Sequence, residues 1–319
     1  PGLGSACPSS RTTHLMVLSH GLTGAPHNLA VLQRELLQRS PCLQVLNAAS
    51  NQGHTLDGVA AGGERLAKEI EACVGRHPSL VHISLVGYSL GGLYVRYAAR
   101  LLYNPKTNTI AGLQPRTLLT LASPHLGVRK FTWLPIPRPI HPLIPLLLRQ
   151  TGSDLFLRDG RRRTAPLLLR MATLPEFLEP LAAFQQRVAF ANLAGDLLVP
   201  YGTAALDARA LQRPGVADPL TDWGFQRGTR DTGPGAAPGP RARPWNGPHV
   251  FDTRRDGDGG TTALRRGPVE ARMADSLNAL GWRRVGVRFP STVAVPLAHQ
   301  KLVAFQRDRW RRLAVGRIE

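Results

Sequence analysis

A doubly wound α/β architecture, with a mostly parallel sheet flanked by crossover helices, is what this sequence predicts, and three observations predict it. Strand-like and helix-like runs alternate through the first half of the chain. The strand-like runs are short and apolar, as buried strands are. The hydrophobic fraction of 43% over 319 residues suffices for one large core, which excludes wholesale disorder.

Taken in order, His14 to Ser19 (HLMVLS) reads as a buried strand, and Leu43 to Leu46 as a second. From Leu56 to Val74 the apolar residues fall at helical spacing. Val59, Leu66, Ile70 and Cys73 share one face, with Glu64, Lys68 and Glu71 elsewhere. Val81 to Val86 (VHISLV) is a strand, Leu90 to Leu102 a helix, and Thr117 to Ala122 (TLLTLA) another strand. After Ser123 the rhythm breaks. Phe131 to Leu148 mixes five prolines with large apolar side chains, and neither a regular helix nor a strand is expected to survive that many. Arg187 to Leu193 (RVAFANL) resumes the strand pattern. Residues 224–268, rich in Gly, Pro, Arg and Asp, read as a disordered low-complexity insert. Order returns at Val285 to Val295, and a final helix is expected from about His299 to Leu313. The expected organisation is a single domain over 1–319, with a lid or cap over 131–180.

A net charge of +19 raises the question of nucleic acid. The arginines are spread from Arg11 to Arg317 rather than gathered on one predicted helix, so no specific nucleic-acid partner is expected. Peripheral attraction to an anionic membrane is the other use of such a balance, with Lys301 to Arg317 the best local candidate. No run of 18 apolar residues is present. The three cysteines, Cys7, Cys42 and Cys73, are too few for a disulfide framework or zinc site and suit a reducing compartment. An intracellular place, cytoplasmic or peripheral to a membrane, is the expectation. The chain opens on Pro1 with no basic-then-apolar leader, which leaves room for a targeting segment upstream.

The strongest chemical signal is Gly87-Tyr88-Ser89-Leu90-Gly91, set between the strand VHISLV and the helix LYVRYAARLL. A nucleophile elbow needs a sharp strand-to-helix turn, so the residues two before and two after the serine must lack bulk. The serine then stands at the positive end of the helix, where developing negative charge is favoured. Ser19-His20-Gly21-Leu22-Thr23-Gly24 ends the first strand. In the α/β-hydrolase fold a loop here supplies one oxyanion N–H, and the residue after the nucleophile supplies another. Leu22 and Leu90 take those roles, while His20 braces the loop.

Chain order in this fold runs serine, acid, histidine. Of the histidines well beyond the elbow, His141 lies in the proline-rich segment, with no credible acid between it and Ser89. His249 lies in the insert. His299 follows the strand-like run Thr292 to Pro296 and is the expected base. Asp196, just past RVAFANLAG, is the expected acid, ahead of Asp154 and Asp159; Asp207, Asp218 and Asp222 look like loop residues. Phe131 to Leu148 would line an acyl pocket as a lid. No metal-ligand spacing or phosphate-binding pattern is present, so no cofactor is expected.

The stretches VLSHGLTG, VGYSLGGLYVRYA, LASPHLGV, TGSDLFLRD, PLLLRMA, FQQRVAFANLAGDLLVPYGTAAL and LAHQKLV occur in the order found in a known family. Through them the chain resembles the serine esterases of the domain of unknown function 676, a lipase-like group of the α/β-hydrolase superfamily. The blocks SPHLG and TGSDLFLRD are more specific than the elbow. The resemblance implies Ser89, Asp196 and His299 as a triad, in agreement with the elimination above. It also implies hydrolysis of lipid esters, with acylglycerols or phospholipids as substrates. Three departures stand out: Thr23 where the family often has an aromatic, Tyr88 in place of a more usual histidine, and a longer insert before His299. A thioesterase or protein deacylase, and a lipid-binding module with a vestigial site, are the rival expectations.

Overall fold

The computed structural model describes residues 12–129, 143–160, 164–193, 195–196, 198–208, 249–253, 268–288 and 298–303. In chain order it runs β1 (His14–Ser19), α1 (Ala30–Arg39), β2 (Leu43–Asn47), α2 (Val59–Arg76), β3 (His82–Tyr88), α3 (Gly91–Leu102), β4 (Tyr103–Asn104), β5 (Thr109–Ile110) and β6 (Gln114–Leu121). It continues with α4 (Ile144–Leu147), α5 (Arg149–Leu155), α6 (Leu167–Thr173), α7 (Pro175–Ala182), β7 (Gln186–Asn192), α8 (Tyr201–Ala204), β8 (His249–Thr253), α9 (Val269–Asn278), β9 (Arg283–Arg288) and α10 (Ala298–Lys301).

The main sheet has seven strands in the order β2-β1-β3-β6-β7-β9-β8. Every pairing is parallel except that of the edge strand β8 with β9. Alternation along each strand divides the apolar residues between two faces. Leu15, Val17, Ile83, Leu85 and Leu118 point into the larger core with α2, α3, α6, α7 and α9. Leu18, Val86, Tyr88 and Leu121 point the other way, against Leu32 and Leu36 of α1 and against Leu302 and Val303. Because β2 and β3 flank β1 on opposite sides, the strand order reverses between β1 and β3. In open α/β sheets ligands bind outside the carboxyl ends of the strands at such a switch point.

The strands expected in the first half are present, and the predicted face of α2 (Val59, Leu66, Ile70, Cys73) is buried as a unit. Two expectations are corrected. Residues 144–147 form a helical turn, although no helix was expected across the proline-rich run. Pro145 falls in its first turn, where a missing N–H costs nothing. The rest of that run, 131–142, lies outside the described residues. The insert 224–268 was expected to be disordered throughout, yet His249–Thr253 pairs antiparallel with β9 from His249↔Arg288 to Thr253↔Arg284. The remainder of the insert lies outside the described residues. Helix α1 and the β4–β5 hairpin were not anticipated. Cys42 is disulfide-bonded and Cys73 a buried free thiol. The run Thr292 to Pro296 and the final helix beyond residue 303 lie outside the described residues. Among the described residues no helix is long and apolar enough to cross a membrane.

Candidate active site

The turn from β3 into α3 is as sharp as the Gly-x-Ser-x-Gly spacing requires. A Cβ on Gly87 would stand 2.4 Å from Gly92 Cα, and one on Gly91 would stand 2.2 Å from the Ser19 carbonyl oxygen. Only hydrogen fits at either place. Ser89 itself has φ +55°, a left-handed conformation that costs a non-glycine residue on the order of 1–3 kcal/mol. Its N–H donates to Leu121 O at 2.8 Å, which ties the strained residue to the end of β6. The residue is 8% exposed.

The loop after β1 lies directly against this serine. A Cβ on Gly21 would meet Ser89 Cβ at 2.6 Å and Ser89 Oγ at 3.1 Å, so glycine there lets the backbone reach the hydroxyl. His20 is buried and donates from Nδ1 to Gly21 O at 3.1 Å. Burial, first among the causes, holds its pKa below the ordinary value, so it acts as a neutral brace. Among the described residues, neither Leu22 N–H nor Leu90 N–H is given to an acceptor. Leu90, at the N-cap of α3, follows Ser89 directly, and Leu22 follows Gly21, the residue that lies against it.

Asp196 and His299 meet. The His299 Nδ1–H donates to Asp196 Oδ2 at 2.8 Å, and both side chains are buried. The carboxylate is clasped from several sides. Asn192 Nδ2, at the end of β7, donates to the same Oδ2 at 2.8 Å, while the N–H groups of Val199 and Leu198 donate to Oδ1 at 2.9 and 3.2 Å. With Nδ1 protonated, His299 Nε2 is the free acceptor that a base needs. Tyr88, next to the serine, donates from its hydroxyl to the His299 carbonyl at 3.1 Å, and its ring centroid lies 5.0 Å from the imidazole. Among the described residues no hydrogen bond links Ser89 to His299, a contact that often closes only when substrate is bound.

The other candidates lie elsewhere. Asp154 accepts from Val59 N–H at 2.7 Å at the start of α2, and Asp159 accepts from Leu167 N–H at 2.7 Å. His249 begins the edge strand β8. His141, Asp218 and Asp222 lie outside the described residues. Asp207 follows α8, and its N–H donates to Gly202 O at 2.8 Å.

Sequence reasoning missed several supporting residues. Asn192 gave no signal beyond its place four residues before Asp196. Tyr88 was visible as a departure from the family pattern, but its partner was not. Behind the elbow, His125 of the SPHLG block is fully buried between Arg96 and Thr120. It accepts at Nδ1 from Arg96 at 3.1 Å and donates from Nε2 to Thr120 Oγ1 at 2.9 Å. Burial, then the adjacent Arg96 charge, pushes its pKa well below the usual range, so it stays neutral and packs under α3. Among the described residues no group of His, Cys, Asp and Glu is placed to hold a metal ion.

Comparison with known proteins places the chain in a family. Residues 9–208 match the family described as "Putative serine esterase (DUF676)". The protein named "Putative lipase C4A8.10" of Schizosaccharomyces pombe is 30% identical over 217 residues, covering 63% of this chain and 27% of that one. "Putative lipase ROG1" of Saccharomyces cerevisiae is 32% identical over 200 residues, covering 60% of this chain and 28% of that one. The chain thus spans little more than a quarter of the length of either relative. A solved structure of the Bacillus licheniformis lipase BlEst2 in its propeptide form is similar at a TM-score of 0.41 and 13% identity, over 61% of this chain and 38% of that one.

Proposed function

The chain belongs to the DUF676 serine esterase family, and from that premise we propose that it hydrolyses carboxylic esters of lipids through an acyl-enzyme on Ser89. The observation that carries the reading is the buried 2.8 Å bond from His299 Nδ1 to Asp196 Oδ2, made by residues that lie 103 apart in sequence, with His299 packed against Tyr88, the residue before the strained Ser89. Ser89 Oγ attacks the acyl carbonyl as His299 Nε2 takes its proton. Asp196 fixes the imidazole tautomer and stabilises the imidazolium. The N–H groups of Leu22 and Leu90 stabilise the oxyanion. His299 then protonates the departing alcohol and activates the water that releases the acid.

Lipid esters, acylglycerols or phospholipids, are the proposed substrates. Support comes from the apolar residues around α4: Leu143, Leu146 and Leu147 are 50%, 75% and 70% exposed, more apolar surface than a solvated loop keeps. The same leucines with a net charge of +19 favour peripheral contact with an anionic membrane.

Fluorophosphonate labelling of the wild type beside Ser89→Ala and His299→Ala tests the mechanism. Labelling is expected in the wild type alone, and kcat on an ester should fall by several orders of magnitude in both variants. Full activity in Ser89→Ala would sink the assignment. Paired ester and thioester substrates of graded chain length separate a lipid esterase from a thioesterase.

A further inference from the structure

Thr23 occupies a conformation that a β-branched residue rarely adopts, with φ +51°. It immediately follows Leu22 in the loop that lies against Ser89, so whatever holds Thr23 also aims the Leu22 N–H. Its backbone N–H donates to Thr55 Oγ1 at 2.9 Å, and its hydroxyl turns back to Leu22 O at 2.8 Å. Thr55 is buried, 32 residues further along, and is itself held from outside the loop. Its carbonyl accepts from Thr151 Oγ1 at 2.8 Å and from Tyr94 OH at 3.4 Å. Thr151 Oγ1 in turn accepts from Gly58 N–H at 2.9 Å, and Asp154 receives Val59 N–H from the next residue. Thr151 and Asp154 belong to the TGSDLFLRD block on α5, which takes no part in the proposed chemistry.

We propose that Thr55 is the positioning residue of the oxyanion loop, and that the TGSD segment of α5 sets its place through Thr151. The inference rests on the oxyanion role of Leu22 in the proposed mechanism. Thr55 keeps Thr23 in its strained turn; Thr151 keeps Thr55 in register with α5. A neutral side-chain acceptor at residue 55 is therefore required for transition-state binding rather than for binding substrate.

The test compares Thr55→Val, which removes the acceptor at nearly constant volume, with Thr55→Ser, which keeps it, using the purified chain, a soluble short-chain ester and a fluorophosphonate. In Thr55→Val, kcat is expected to fall about tenfold or more, since small displacements of a stabilising donor are costly. KM should stay within about twofold, because ground-state binding is untouched. Fluorophosphonate should reach the same labelled fraction as in the wild type, but more slowly. Thr55→Ser should restore kcat, and Thr151→Val should show the Thr55→Val pattern in weaker form. Wild-type kcat in Thr55→Val overturns the inference. So does a loss confined to KM or to the labelled fraction, or one that Thr55→Ser fails to restore. A wild type whose labelling does not depend on Ser89 overturns the proposed mechanism itself, and this inference with it.

Discussion

Tyr88 is the residue whose role changes most once its neighbours are known. Its hydroxyl holds the backbone of His299 and its ring flanks the imidazole, while burial, then the charge of Asp196, raises its pKa and keeps it a neutral donor. Tyr88→Phe keeps the ring and removes one hydrogen bond, worth about 1 kcal/mol and hence roughly fivefold in rate. Steady-state kinetics should show that loss in kcat with KM unchanged, and a variant with wild-type kcat would exclude the tether. The proposed serine, acid and base could be singled out one by one because each sits at a patterned place: an elbow, the end of a strand, a late histidine. Tyr88, Asn192 and Thr55 were not, because their meaning lies in partners. Tyr88 finds its own 211 residues away, which no local spacing records.

At the scale of elements, periodicity decided what could be read. Helix α2 was legible because it buries a full apolar stripe, whereas none of the residues of α1 is buried and its helical spacing is correspondingly faint. Strand β8 was missed because five residues inside an Arg-, Gly- and Pro-rich stretch carry too little pattern to stand out; the partner strand β9 supplies the order. The lid expectation fares differently. The exposed leucines beside and within α4 face solvent, and burying one such side chain in an apolar phase is worth about 1.5–3 kcal/mol. Sedimentation with anionic vesicles should therefore weaken at least about tenfold in Leu146→Asp/Leu147→Asp, while activity on a soluble short-chain ester is kept. Unchanged sedimentation would remove this patch from any membrane contact.

At the scale of the whole molecule, folding works against the charge of His14, His20 and His125. Burial is the first cause that lowers the pKa values of His14, His20 and His125 from 6.5. The unfolded chain therefore binds more protons than the folded one once the pH drops below about 6.5, and stability falls with it. His125, fully enclosed, contributes at most about 1.4 kcal/mol per pH unit, and His14 less because solvent reaches it. Urea midpoints measured from pH 7.5 to pH 5 should decline below about 6.5 and hold level above it; a level profile throughout would contradict this. The order in which the chain is made has a consequence of its own. The serine and the loop that faces it lie within the stretch from β1 to α3, but the bond from Asp196 to His299 spans 103 residues. Loops of that length close late and slowly. On the proposed mechanism, then, synthesis delivers Ser89 well before its base, and the chain can acquire the proposed hydrolase activity only after His299 has emerged.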